Sequence, residues 1–134
     1  MQIMEAKKIL GVDYGVSRIG LAIADSETRI AFAYGTIDNK NFLKELGGVI
    51  EKENIETVVL GKLENAGAGK KAFEAQEIGE KISRELKVEV SYQEEMFSTK
   101  MAENNLKEAG VKNLKSLDNQ EAARIILQSW LDRG

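Results

Sequence analysis

Histidine, cysteine and proline are all absent from this 134-residue chain. The first two absences exclude whole classes of chemistry. There can be no Ser-His-Asp triad, no thiol nucleophile and no histidine general base. Structural zinc lacks its usual Cys and His ligands. No disulfide can form, so nothing points to an oxidising compartment. Catalysis is left with carboxylates, hydroxyls, amines and a hard metal ion. The missing proline, against a usual share of about 5%, implies continuous elements joined by glycine and asparagine turns. Long apolar runs are lacking too: none approaches the ~20 residues that span a bilayer. The opening MQIMEAKKILGVDYG has no signal-like apolar stretch, so the expectation is a cytoplasmic protein that does not enter a membrane.

What remains describes one domain over residues 1–134. Apolar residues make up 43% and charged residues 31%, a balance that suits a packed core rather than a disordered chain. The length fits one domain and buries roughly two-thirds of the unfolded surface. The net charge is −3, which argues against a broad basic footprint for nucleic acid. Local asymmetry exists, however. Lys100, Lys107, Lys112 and Lys115 outnumber Glu103 and Glu108, and Lys62, Lys70 and Lys71 form a second group. Each group reads either as a solvated face or as phosphate contacts. A carboxylate metal site would also make the bare sequence look more acidic than the metal-bound protein.

Apolar runs at Ile9 to Asp13, Arg18 to Asp25 and Arg29 to Ile37 predict three strands joined by short polar turns, an antiparallel meander. Phe42, Leu43, Leu46, Val49 and Ile50 recur at helical spacing and predict a helix over about 39–53. A strand over 57–61, a helix over 70–86, a strand over 88–92 and helices over about 98–109 and 118–132 follow. The order β-β-β-α-β-α-β-α-α implies an α/β fold with a mixed five-stranded sheet flanked by helices. Sites in such sheets form at the carboxyl ends of parallel strands.

Three acids lie at element ends. Asp13 closes the first strand, Glu95 follows the fifth, and Asp118 begins the last helix. If the first strand runs parallel beside the fourth or fifth, Asp13 and Glu95 emerge at one edge, and the last helix could bring Asp118 to them. Clustered carboxylates repel unless a cation lies between them. Oxygen ligands without His or Cys favour Mg²⁺ or Mn²⁺, and two such ions can cleave a phosphodiester. Each acid also has a structural reading. Asp13 fits a turn with Tyr14 and Gly15. Asp118 fits an N-cap, with Glu121 completing a capping box. Glu95 fits a solvated loop. Arg18 suits bidentate phosphate binding or the flank of a sheet. The glycines near it lack the Lys-Ser/Thr ending and following helix of a P-loop.

Gly11-Val12-Asp13-Tyr14-Gly15, then Arg18-Ile19-Gly20-Leu21-Ala22 and Asp25, resembles the opening of the YqgF/RuvX family of RNase H-like proteins. The resemblance continues through Val58-Val59-Leu60-Gly61 and Glu94-Glu95-Met96-Phe97-Ser98-Thr99. It closes at Asp118 with Glu121-Ala122-Ala123 and Ile125-Ile126-Leu127-Gln128, and so runs through the whole chain in order. It implies an RNase H-like fold and a metal-binding triad of Asp13, Glu95 and Asp118. Arg18 matches an arginine after the first turn, and Ser98 and Thr99 match a hydroxyl pair that contacts phosphate or caps the next helix. Two departures stand out. Met96 replaces the family's arginine after the Glu, and the loop Gly61-Lys62-Leu63-Glu64-Asn65-Ala66-Gly67 lacks the family's Pro and Asp while keeping Asn65. Lys62, Lys70 or Lys71 could replace the missing phosphate contacts.

The activity the resemblance implies is Mg²⁺- or Mn²⁺-dependent endonucleolysis of structured nucleic acid, leaving a 3′-hydroxyl and a 5′-phosphate. Processing of the 5′ end of pre-16S rRNA, in contact with ribosomal precursor particles, is favoured over Holliday-junction resolution. A resolvase needs paired sites, and no dimerisation surface is evident in the sequence, so a monomer is expected. The rival is an RNase H-like module that binds nucleic acid without cutting it, consistent with Met96 and the altered loop. A phosphotransferase of the actin and sugar-kinase superfamily would need two such domains closing over ATP.

Overall fold

The computed structural model describes residues 7–15, 17–62, 70–94 and 118–133. Their elements are β1 (Lys8–Asp13), β2 (Arg18–Asp25), β3 (Ala31–Asp38), α1 (Phe42–Glu53), β4 (Ile55–Lys62), α2 (Lys70–Leu86), β5 (Glu89–Glu94) and α3 (Asn119–Asp132), with a 3₁₀ turn at Asn39–Asn41 before α1. The expected helix over 98–109 lies outside the described residues. The expected helix over 39–53 begins with the 3₁₀ turn, because the Asp38 side chain caps the Lys40 N–H.

The sheet order is β3-β2-β1-β4-β5. β1, β2 and β3 form the expected antiparallel meander. β1 pairs parallel with β4, and β4 with β5, so the carboxyl ends of β1, β4 and β5 share one edge. The fold is RNase H-like.

Strand alternation divides the core into two layers. Leu10, Val12, Ile19, Leu21, Val58 and Leu60 meet Leu46 of α1 and Ile82 of α2 on one face. Ile9, Ala22, Ala24, Ala31 and Val59 meet Ala123, Ile126, Leu127 and Leu131 of α3 on the other. Small residues dominate the sheet's side of this second layer, which lets α3 lie close. A β-carbon on Gly11 would fall 2.7 Å from Leu127 Cβ.

Side chains pin α3 from both flanks. Gln128 accepts the Ala31 N–H at 2.8 Å and donates to the Arg29 carbonyl at 3.2 Å. Arg29 in turn donates to the Leu131 carbonyl. From the opposite side the Trp130 indole donates to Ser91 Oγ at 2.9 Å. On the other face, Tyr34 donates to Glu53 Oε2 at 2.8 Å and Lys8 reaches Oε1 at 3.4 Å. That hydroxyl, aided by Lys8, holds the Glu53 carboxyl below its ordinary range, and the Tyr34 hydroxyl is raised above 10.0 in return.

Candidate functional site

Asp13 is the last residue of β1 and pairs with Gly20 of β2, so it belongs to the sheet rather than to the turn. Like Ile9 and Gly11 before it, it falls on the α3 face. The turn beyond it is braced. Tyr14 stacks edge-on against Phe42, with ring centroids 5.5 Å apart. Asn39 donates to the Gly15 carbonyl and its backbone N–H reaches the Ser17 carbonyl at 3.1 Å. Gly15 is required there, because a β-carbon would strike the Arg18 carbonyl.

Asp118 is the N-cap of α3, and its Oδ1 accepts the Glu121 N–H at 2.8 Å. The structural reading of Asp118 is therefore correct, and it coexists with a second role. The cap engages one carboxylate oxygen, and the other makes no hydrogen bond to another described residue. The start of α3 reaches the sheet over Gly20, where a β-carbon would collide with the Asn119 backbone. Gly20 thus brings the element carrying Asp118 next to the strand carrying Asp13.

Three further residues extend this arrangement into a row across the edge. Gly20 pairs with Thr36 of β3, and Gly61 of β4 pairs with Gln93 of β5. Val12 pairs with Leu60, so one step further Asp13 comes level with Gly61. Across the α3 face the row reads Gln93, Gly61, Asp13, Gly20, Thr36. Asp13 therefore stands between two positions with no side chain of their own, and over one of them, Gly20, lies the Asn119 backbone.

Gln93 was missed by the sequence reading, which ended the fifth strand at residue 92, whereas β5 runs on through Glu94. Its neighbour two back, Ser91, meets Trp130 of α3, whereas Val90 and Tyr92 pack on the opposite layer. Gln93 Oε1 is buried and has no hydrogen-bond partner among the described residues. Such an orphaned acceptor is rare and calls for a missing donor or ion. It lies two strand spacings, about 10 Å, from Asp13, with only Gly61 between.

Among the described residues no three acidic side chains gather as a metal group. Glu95, the third acid, lies outside the described residues, as do Asn65, Ser98 and Thr99. Lys62 ends β4. Arg18 begins β2 on the same face as Asp13, is exposed, and lines a cleft with Ser17 and Thr36. The donor set in view is two carboxylates and one orphaned carboxamide oxygen. All are hard oxygen ligands, and they fit Mg²⁺ or Mn²⁺ rather than a softer metal.

A five-stranded mixed sheet with acids at its carboxyl edge and a helix start laid over them defines the RNase H-like class. Two solved structures are similar to it in fold. RuvC from T. thermophilus in complex with Holliday junction substrate superposes with a TM-score of 0.56 at 16% identity, covering 95% of this chain and 94% of that one. The Fowlpox virus resolvase with Holliday junction DNA gives 0.57 at 14%, covering 94% and 97%. At these identities the likeness is one of fold.

The sequence specifies the family. Residues 7–133 match RuvX, described as Holliday junction resolvase, and the chain belongs to this family. Relatives named "Putative pre-16S rRNA nuclease" include one from Gloeobacter violaceus, 34% identical over 96% of this chain and 86% of its own length. Another, from Caldicellulosiruptor bescii, is 37% identical over 93% and 96%.

Proposed function

We propose that this protein is a divalent-metal-dependent endonuclease that hydrolyses phosphodiester bonds in structured RNA, acting at the 5′ end of pre-16S rRNA. The observation that carries the reading is the convergence of Asp13 and the Asp118-bearing end of α3 on an edge floored by Gly20. The names of the sequence relatives favour pre-16S rRNA over a four-way junction as substrate.

In this reading Asp13, Asp118 and Glu95 hold the metal, and Glu95 directly follows the last residue of β5. A divalent ion held there supplies Lewis acidity for water attack and for the leaving oxygen. Asp118 keeps one oxygen on the helix cap, which fixes the direction of the other. Gly20 lets the start of α3 close over the edge beside Asp13, and Gly61 puts no side chain between Asp13 and Gln93. Arg18 stands on the substrate side and neutralises backbone charge. Lys62, Asn65, Ser98 and Thr99 are the remaining substrate contacts, and they take over from the arginine that Met96 replaces. Duplex or structured RNA is then read by shape and backbone, with little sequence preference. The protein acts as a cytoplasmic monomer on precursor particles. Among the described residues no helix is long and apolar enough to cross a membrane.

The test is incubation of wild type and Asp13→Asn with precursor 16S rRNA and with a synthetic four-way junction, each with Mg²⁺ or Mn²⁺. Cutting of the rRNA that Asp13→Asn abolishes supports the reading. Cutting of the junction alone transfers the activity to resolution. Binding without cutting of either substrate supports the non-catalytic module.

A further inference from the structure

Beside Gly20 and Thr36 the same edge continues into a cleft of about 470 Å³ lined by Ser17, Arg18, Thr36, Ile37 and Asp38. Arg18 and Asp38 are direct partners in the antiparallel β2–β3 ladder, a placement in which opposite charges usually pair. They do not pair here. The Arg18 guanidinium makes no ion pair with another described residue. Asp38 Oδ1 accepts the Lys40 N–H at 3.2 Å, and its Oδ2 has no partner among the described residues. Glu45 lies behind, accepting the Asp38 N–H at 3.0 Å. The cleft thus presents a cation and an anion side by side, each with unused hydrogen-bonding capacity, together with two hydroxyls.

A bare phosphate does not fit this set well, since it would gain Arg18 but be opposed by Asp38 and Glu45. A ribonucleotide fits both charges. Its phosphate accepts from the guanidinium and the Ser17 and Thr36 hydroxyls, while its 2′-hydroxyl donates to Asp38 Oδ2. A deoxyribonucleotide offers the phosphate but has no such donor, so the carboxylate only repels it. The position suits a nucleotide of the substrate strand. Arg18 is two residues along β2 from Gly20, the partner of Asp13, which places its Cα about 8 Å from that of Asp13.

We infer that the Ser17, Arg18, Thr36 and Asp38 cleft is a ribonucleotide subsite, within about two nucleotides of the scissile bond, that selects RNA over DNA through Asp38. The inference rests on the nuclease reading for the strand's path, and its test is separable because it needs no cleavage.

The experiment measures binding of a fluorescein-labelled RNA hairpin and of the DNA hairpin of the same sequence by anisotropy, in EDTA, with the full chain. Wild type should bind RNA more tightly. Asp38→Asn keeps an oxygen for the Lys40 N–H and puts an NH₂ where Oδ2 stood, so the helix start is preserved while the acceptor is lost. It should reduce the RNA-to-DNA affinity ratio by about tenfold. Arg18→Ala should weaken both ligands alike and lower the salt dependence by about one counterion. An unchanged ratio in Asp38→Asn, or equal tightening of both ligands, overturns the ribonucleotide assignment. Metal-dependent rRNA cutting in that same variant would leave the nuclease reading standing. Failure of wild type to bind either hairpin overturns the subsite, while the nuclease reading stands or falls on the separate metal-dependent cleavage of precursor rRNA.

Discussion

Gly20 lies directly opposite Asp13 in the β1–β2 ladder, and the space its side chain would fill is taken by the Asn119 backbone. One missing methyl group therefore sets how closely the helix headed by Asp118 approaches the strand ending in Asp13. Gly20→Ala should push the start of α3 away and destabilise the fold by about 1–3 kcal/mol. Divalent-metal affinity should fall with it. Gly35→Ala is the control, since a β-carbon at Gly35 meets nothing within 4 Å and should leave both stability and metal affinity nearly unchanged. Urea unfolding with and without Mg²⁺ measures both quantities.

Gln93 separates stability from function. Its buried Oε1 lacks a partner among the described residues, and leaving such an acceptor unmet costs about 1–3 kcal/mol. Gln93→Leu should therefore stabilise the metal-free protein. It should also weaken Mn²⁺ binding, read by calorimetry, if the carboxamide oxygen serves the ion beside Asp13. A stabilised variant with undiminished Mn²⁺ affinity would remove Gln93 from the site.

The pinning of α3 predicts a third result. Gln128→Ala leaves the Ala31 N–H without its acceptor and frees the helix from the β2–β3 turn. A loss of about 1–2 kcal/mol is expected, measured by chemical denaturation. Leu127→Ala, at a fully buried position in the same layer, should cost more, about 2–5 kcal/mol.

The Tyr34–Glu53 contact gives a pH dependence with a worked sign. Glu53 is depressed in the folded state, first by the Tyr34 hydroxyl, so its stabilisation is full above the unfolded carboxylate value and is lost as pH falls through the folded one. Tyr34 is raised above 10.0, first by its bond to Glu53, so its contribution is full below 10 and is lost as pH climbs through the folded value. The difference in stability between wild type and Tyr34→Phe should therefore be flat from the carboxylate range up to pH 10. It should shrink on both sides of that window. Denaturation midpoints across the pH range report it.

Much of the architecture was legible because local signals agreed with the tertiary outcome. Apolar alternation marked the strands, and Phe42, Leu46 and Ile50 marked α1. Asp118 with Glu121 announced the start of α3. Asp13 and Asp118 were conspicuous because each stands at the end of an element, as the structure has them. Other parts of the site depend on register, which a single sequence carries weakly. Gly20 and Gly61 stood out as glycines, but only strand pairing shows that they flank Asp13. Gln93 looked like loop polarity until β5 extended through Glu94 and alternation put it on the α3 face. The Arg18–Asp38 pairing joins residues 20 positions apart across a bulged ladder, a relation that sequence spacing does not reveal.

The most direct test is the rate of Mg²⁺-dependent cleavage of precursor 16S rRNA by Asp118→Asn relative to wild type. Asparagine caps a helix about as well as aspartate, so the variant should fold with unchanged stability. Its lost charge should lower the rate by about 100-fold or more, beyond what outer-shell changes cost at metal sites. Cleavage at the wild-type rate by the folded variant would contradict the account and leave Asp118 as a helix cap alone.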